Sequence, residues 1–386
     1  MNPEDIASWC DETLPELYDG GMFDSEEIHE DVWASVETAI EPLAEEFTED
    51  ERDELMEAAT DWFRTYHDLI LEAIEPLDPK TIKTMTTKPQ TAQHTADWYS
   101  QRRNRLTASE FSQILDGRRG ALLRQKISQD TGDRVGMSAP IGISQSDGDM
   151  NATTWGHRFE PVTRRIYELE VAGVDTVCDT LGRFTHPTTE WLSASPDGVV
   201  TKGSRAGRLV EIKSPKTRKP GQFVPQEYYV QMQIQMEVCD LDVVDFIEAQ
   251  FAQRHEEAMS VEDRDACNKA TWKGRIEVRG YLDDSTTWSY HYSTVVEDLE
   301  DATFSSESDS PVLESSVWWL TGFYPRTVLR NRDWWSSLGW PNAQLFWAEV
   351  QSLRDQQITS PPLSAMVGNP DTIEHIGGWM GSGSLN

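Results

Sequence analysis

Apolar residues recur at helical spacing in the first part of the chain. Trp33, Val36, Ile40 and Leu43 form one series, and Leu55, Ala59, Trp62, Tyr66 and Ile70 form a second. Steps of three and four set each series on one helix face, with acidic residues on the other. Pro76 and Pro79 predict the end of the second helix, and the polar stretch 84–95, TMTTKPQTAQHT, predicts a linker. An acidic helical region over 1–88 follows from these signals.

From Trp98 the pattern becomes mixed. A helix is predicted over 107–115, with Thr107 as cap and Glu110 at capping-box spacing. The stretch 133–152 is rich in Gly, Ser and Asp and reads as a loop. A second helix is predicted over 155–171, with Pro161 in its first turns or at a kink. Three strands are predicted over 177–185, 191–200 and 208–213, then a helix over 225–238 and a strand over 243–251. Helix, three strands, helix and strand make an α/β core, assigned to a domain spanning 89–357. The polar stretch 252–325 predicts an insertion with at most one or two strands, such as 287–293. A short strand, a helix and a flexible tail over 358–386 complete the expectation.

Charge changes this picture in one respect. The net charge of -33 argues against a surface that binds phosphates everywhere, because cations dominate nucleic-acid affinity. Residues 1–78, however, hold 26 Asp and Glu against Arg52 and Arg64, leaving a net of -9 on the remainder. There the cations cluster, as Arg102, Arg103, Arg105, Arg118, Arg119, Arg124 and Lys126, and again as Arg205, Arg208, Lys213, Lys216, Arg218 and Lys219. The four cysteines lack metal-ligand spacing and read as free thiols. No apolar run is long enough for a bilayer span and no leader precedes the acidic N-terminus, so a soluble, intracellular, unsecreted protein is expected.

The sharpest chemical signal is SASPDGVV followed by LVEIKSP. An Asp at one strand end, with Glu and Lys two residues apart on the next strand, supplies hard oxygen ligands for divalent cations beside an ammonium group. The strand period of two sets Glu211 and Lys213 on one face, where Asp197 can join them. Ile212 points the other way while offering its backbone carbonyl as a ligand. Lys213 is then placed to hold or deprotonate an attacking water. Taken alone, Asp197 would be a turn residue and Glu211/Lys213 the exposed face of an edge strand. The conjunction with an upstream helical Glu and a downstream Gln-bearing helix outweighs that reading.

The segments W98YSQRRNRLTASEF, W155GHRFEPVTRRIYE, A194SPDGVV, L209VEIKSP and Y229VQMQIQMEV stand in the order of a known family. The chain resembles the YqaJ-type viral recombinase exonucleases, the group that includes phage lambda exonuclease, and looks closest to versions from large DNA viruses. The resemblance implies a restriction-endonuclease-like PD-(D/E)XK fold, two Mg2+ ions per site with Mn2+ as a substitute, and attack on double-stranded DNA ends in the 5'-to-3' sense. Glu160, Asp197 and Glu211 match the metal ligands and Lys213 the catalytic lysine. Gln231 matches a supporting glutamine, with Gln233 and Gln235 as competitors; Gln231 shares a helix face with Gln235 and not with Gln233. Arg102, Ser109 and Ser195 match a pocket for the 5'-terminal phosphate, with Arg103 and Arg105 as substitutes for Arg102. A single-strand annealing partner and a ring-shaped homo-oligomer are further expectations of the family.

Two other readings remain open at this point. One is a PD-(D/E)XK endonuclease, which has no need of a terminal-phosphate pocket. The other is a DNA-binding protein on a retired nuclease fold, although no ligand position is lost here. Of the fifteen tryptophans, the six between Trp318 and Trp347 are expected to pack a C-terminal core rather than stack on bases.

Overall fold

A computed structural model describes residues 8–12, 14, 34, 38, 48–93, 95–128, 150–221, 223–281, 284–305 and 309–359. The series from Trp33 to Leu43, most of the loop 133–152 and nearly all of the tail lie outside them.

The second acidic series forms α1 (Glu49–Ala73), whose N-terminus carries a capping box between Thr48 and Glu51. Its inner face is Leu55, Ala59 and Phe63, which join the main hydrophobic cluster of the protein. Pro79 does not end a helix as expected. It opens α2 (Pro79–Thr87), where its missing N–H costs nothing, and Asp78 caps the turn. The first third of the predicted linker is therefore helical, and much of its described remainder is tied down. Gln90 Oε1 accepts from Gly182 N at 2.6 Å, and Gln93 Nε2 donates to Leu181 and Pro196 carbonyls at 3.2 and 2.9 Å. Thr91 bridges Arg183, and Gly182 is required there because a Cβ would sit 2.4 Å from the Thr91 carbonyl oxygen.

The helices α3 (Ala96–Gln101), α4 (Ala108–Leu115) and α5 (Arg119–Ile127) follow, with β1 (Leu106–Thr107) between the first two. Asn151 caps α6 (Ala152–Tyr167), which a π-helical turn, Glu168–Ala172, extends. Pro161 lies in the middle of α6, not in its first turns. The first two predicted strands each break in two: β2 (Val177–Cys178) and β3 (Phe184–His186), then β4 (Thr189–Ala194) and β5 (Gly198–Val200). Next come β6 (Leu209–Lys213), α7 (Gln226–Cys239) and β7 (Val243–Arg254).

The expected insertion is largely sheet. After α8 (Val261–Lys269) it supplies β8 (Lys273–Tyr281), β9 (Asp284–Tyr292) and most of the long β10 (Val312–Leu329). These strands read as polar because they carry buried polar pairs, such as Arg158–Glu314 at 2.8 Å and Gln253–Ser316 at 3.0 Å. A short turn leads into α9 (Trp340–Thr359).

A seven-stranded mixed sheet runs β2-β5-β6-β7-β10-β8-β9, with β6 and β7 parallel and the other neighbours antiparallel. A smaller sheet, β1-β4-β3, stands beside it. The expected α/β class, a mixed central sheet flanked by helices, is thus present. On one face α6 lays Trp155, Phe159, Val162 and Ile166 against Ala249, Phe251, Ile276 and Trp318. On the other, α7 is buried almost all round, as a helix does when sheet and helices enclose it. Trp318, Trp319 and Trp347 are buried, and Trp191 stacks on Trp340 and Trp347, which is the packed core expected of them. No helix among the described residues is long and apolar enough to cross a membrane.

Candidate active site

The break between β4 and β5 builds the site. The chain leaves the small sheet at Ala194, passes Ser195 and Pro196, and enters the large sheet after Asp197. Asp197 is clamped to β6 from two sides: its N–H donates to the Val210 carbonyl at 3.1 Å, and its Oδ2 accepts from Ile212 N at 2.8 Å. Along β6 the pleat sends Leu209, Glu211 and Lys213 toward α7, while Val210 and Ile212 pack with Tyr167 and Ile247 on the other face.

Glu211 is 1% exposed and both of its oxygens are engaged. Lys213 Nζ and Gln231 Nε2 donate to Oε1, the latter at 2.7 Å, and Gln235 Nε2 donates to Oε2 at 2.6 Å. The shared face of Gln231 and Gln235 is therefore used as a pair. Gln233 turns away, donating to the Leu329 carbonyl at 2.8 Å and accepting from Asn331 N at 2.7 Å. Lys213 also lies over the Tyr228 ring, 5.0 Å from its centroid.

Glu160, from α6, completes the group. Asp197, Glu160, Glu211, Ile212 and Lys213 line one cavity of about 650 Å³. Burial, then Glu211 and Glu160, push the Asp197 carboxyl well above its ordinary range, and burial with Glu211 raises Glu160. Burial works against the Lys213 ammonium, but Glu211 and Asp197 outweigh it and hold the group charged. Among the described residues no three of His, Cys, Asp and Glu converge into a ready metal cluster, and Glu211 is engaged by Lys213 and the two glutamines. The donor chemistry nevertheless fits a hard divalent cation: three carboxylates repel one another around one inserted ammonium, and added positive charge would relieve them.

The far end of the same cavity is lined by Gln93, Trp98, Arg102, Ser109, Arg183 and Ser195. Trp98 Nε1 donates to Ser195 Oγ at 3.0 Å, and Arg102 Nη2 to Ser109 Oγ at 3.4 Å. Below them the α4 capping box is buried. Glu110 accepts from Thr107 Oγ1 at 2.7 Å and from Lys126 Nζ at 2.8 Å, and pairs with Arg102 at 3.3 Å. The alternatives to Arg102 are used elsewhere: Arg105 donates to Thr185 Oγ1 and the Glu190 carbonyl, both at 2.7 Å, and Arg103 is absent from the lining.

All nine residues singled out from the sequence thus line one cavity. Sequence reasoning missed Tyr228, although it lies one turn before Gln231 on α7, and it missed Arg183, which no local pattern marks. Among the described residues, none of the acidic region lines this cavity.

Residues 97–242 match the family model of the YqaJ-like viral recombinase domain. A curated relative is an uncharacterized protein of Acanthamoeba polyphaga mimivirus, 24% identical over 177 residues, covering 42% of this chain. That match spans 29% of the relative's length. Among solved structures, the chain is similar to the alkaline exonuclease LHK-Exo from Laribacter hongkongensis, with 19% identity and a TM-score of 0.39, covering 68% of this chain and 96% of that one. It is also similar to a phage related exonuclease from Haemophilus somnus 129PT, with 10% identity and a TM-score of 0.29, covering 75% and 98% respectively. Over residues 97–242, therefore, the chain is similar to the YqaJ-like viral recombinase domain.

Proposed function

We propose that this protein is a divalent-metal-dependent DNA exonuclease that engages the 5'-phosphorylated end of linear duplex and degrades it in the 5'-to-3' sense. The observation that carries this reading is one cavity with two unlike ends: carboxylates with an ammonium at one, and guanidinium and hydroxyl groups at the other. The YqaJ-like match over 97–242 adds to it.

Glu160, Asp197, Glu211 and the Ile212 carbonyl would hold Mg2+, with Mn2+ as a substitute, probed at a stoichiometry of two ions. Bound there, the metal would neutralise charge on the scissile phosphate and make a water nucleophilic. Lys213 sits beside Glu211 and supplies a donor to the water or to a phosphate oxygen. Gln231 and Gln235 fix the Glu211 carboxylate so that its orientation does not depend on Lys213 alone. Tyr228 walls the ammonium from the side. Arg102, Ser109 and Ser195 would hold the terminal phosphate, through guanidinium and hydroxyl donors.

The test compares a 5'-phosphorylated linear duplex with a covalently closed circle of the same sequence, in Mg2+ and in EDTA. Nucleotide release from the linear form in Mg2+ alone is the expected result. Equal cleavage of the circle would establish an internal cutter instead, and binding without release would leave a DNA-binding protein.

A further inference from the structure

Arg183 stands immediately before β3, far in sequence from every motif described above. Its side chain is 5% exposed, yet Nε and Nη1 have no hydrogen-bond partner. Only Nη2 is used, donating to the Trp98 carbonyl at 2.8 Å. Leaving a buried guanidinium two-thirds unpaired is costly, because its N–H groups have lost water without replacement. Arg183 nevertheless lines the cavity beside Arg102, whose Nε is likewise buried and unpartnered. Both guanidinium groups lie against one indole, with Arg183 Cζ 4.8 Å and Arg102 Cζ 5.6 Å from the Trp98 ring centroid.

We propose that Arg183 is the second guanidinium of the terminal-phosphate pocket, and that it selects a phosphate monoester over the internal diester. The inference rests on the end-directed reading given above. Arg102 and Lys126 pair with Glu110, and Arg183 stands close enough to interact with Arg102 and Glu110, so these four groups leave a surplus of two positive charges beside this end of the cavity. An internal phosphodiester carries one negative charge. A terminal phosphate carries about -1.5 to -2 near pH 7 and offers three strong acceptor oxygens. Only the terminal group matches the surplus and has acceptors enough for the idle N–H groups of both arginines. Burial, then Arg102 and Arg105, push the Arg183 guanidinium down to about 10.

The pocket is also held rigid. Gly182 N donates to Gln90 Oε1, Arg183 N donates to the Thr91 carbonyl at 2.9 Å, and Trp98 fastens Arg183 by its carbonyl and Ser195 by its indole N–H. Arg183 therefore meets a phosphate with little ordering left to do, which is where a preorganised guanidinium outperforms a lysine.

The test uses the full chain with the variants Arg183→Gln and Arg183→Lys, on linear duplexes that differ only in carrying a 5'-phosphate or a 5'-hydroxyl. Initial rates in Mg2+ and competition binding of a 5'-phosphorylated oligonucleotide are both read. Arg183→Gln should lower the phosphate-to-hydroxyl preference by at least ~10-fold, mainly through KM, as expected for a lost charge-assisted contact worth about 1.5–3 kcal/mol. Rates on the hydroxyl end should fall by much less than those on the phosphate end. Arg183→Lys, which keeps the charge, should lose several-fold and serves by itself if the glutamine variant fails to fold. Equal losses on both ends would reduce Arg183 to a structural residue and overturn the proposal. A wild-type preference kept intact in a folded variant would overturn it while sparing the end-directed reading. A wild type with no preference would overturn both.

Discussion

The two ends of the cavity are opposites in what they lack. Around Asp197, three carboxylates share one ammonium, and Asp197 and Glu160 are driven toward protonation. Around Glu110, two paired cations and the nearby Arg183 face one carboxylate, and burial with Arg102 and Arg105 pushes the Arg183 guanidinium down. The excess of charge has the opposite sign at each end, which is the electrostatic basis for proposing cations at one and a multiply charged anion at the other. Folding tolerates both because β6, α7 and α4 fix the groups through bonds that do not involve the ligand.

The sharpest way to break this contrast is at the pair beneath the phosphate end. Lys126 is fully buried, and replacing it with Met should cost about 1–3 kcal/mol, since Glu110 would lose its ammonium donor and keep only Arg102 and Thr107 as partners. Denaturant unfolding measures this, and a change under 1 kcal/mol would mean the pair is not what holds the pocket. pH gives an independent check. Burial opposes the Glu110 charge, but Lys126 and Arg102 outweigh it and hold the carboxyl below its ordinary 4.5. Its stabilising contribution is therefore complete above 4.5 and lost as the pH falls through the lower folded value. Glu110→Gln should flatten that acid limb.

At the carboxylate end the effect falls on rate. Asp197→Ala, Glu211→Ala and Lys213→Ala should each lower cleavage by at least ~10²-fold with the fold kept. A folded Asp197→Ala protein with near wild-type turnover would remove this end from the chemistry. Smaller again is the response to ligand. Mg2+ at about 100-fold over its Kd should stabilise the wild type by about 2.7 kcal/mol, and Asp197→Asn should lose most of that gain. Thermal unfolding with Mg2+ and with EDTA reads the difference, and an equal gain in both proteins would place the metal elsewhere.

The smallest test separates three glutamines on one helix. Gln233→Ala should cost about 1–3 kcal/mol of stability by stranding Asn331 N–H, and leave the rate per folded molecule unchanged. Gln235→Ala should instead lower the rate, because it frees Glu211 Oε2. A rate loss in Gln233→Ala matching that of Gln235→Ala would erase the distinction.

The carboxylate end was legible in the sequence because its geometry is local. Glu211 and Lys213 share a face by the strand period, and Gln231 and Gln235 share one by the helix period. Arg183 was not legible, since the register of β3 on β4 and the crossing of Thr91 over Gly182 bring it in from a distance. The broad α/β class followed from alternating helix and strand signals. The extent of the sheet beyond β7 did not, although Arg275, Ile276, Glu277, Val278 and Arg279 alternate as a half-buried strand should. Buried ion pairs such as Arg158–Glu314 make neighbouring positions read as surface. Pro79 misled for a simpler reason, that a proline which breaks a helix interior is equally at home in its first turn.

Ser195 and Asp197 belong to opposite ends of the cavity and are joined by Pro196 alone. Two residues of extended chain span at most about 7 Å, and the proline ring fixes its own φ. The short crossing between the two sheets thus acts as a ruler: whatever binds at Ser195 and at Asp197, on the proposed reading a terminal phosphate and metal ions, is held at a separation that the backbone sets and side-chain rotation cannot change.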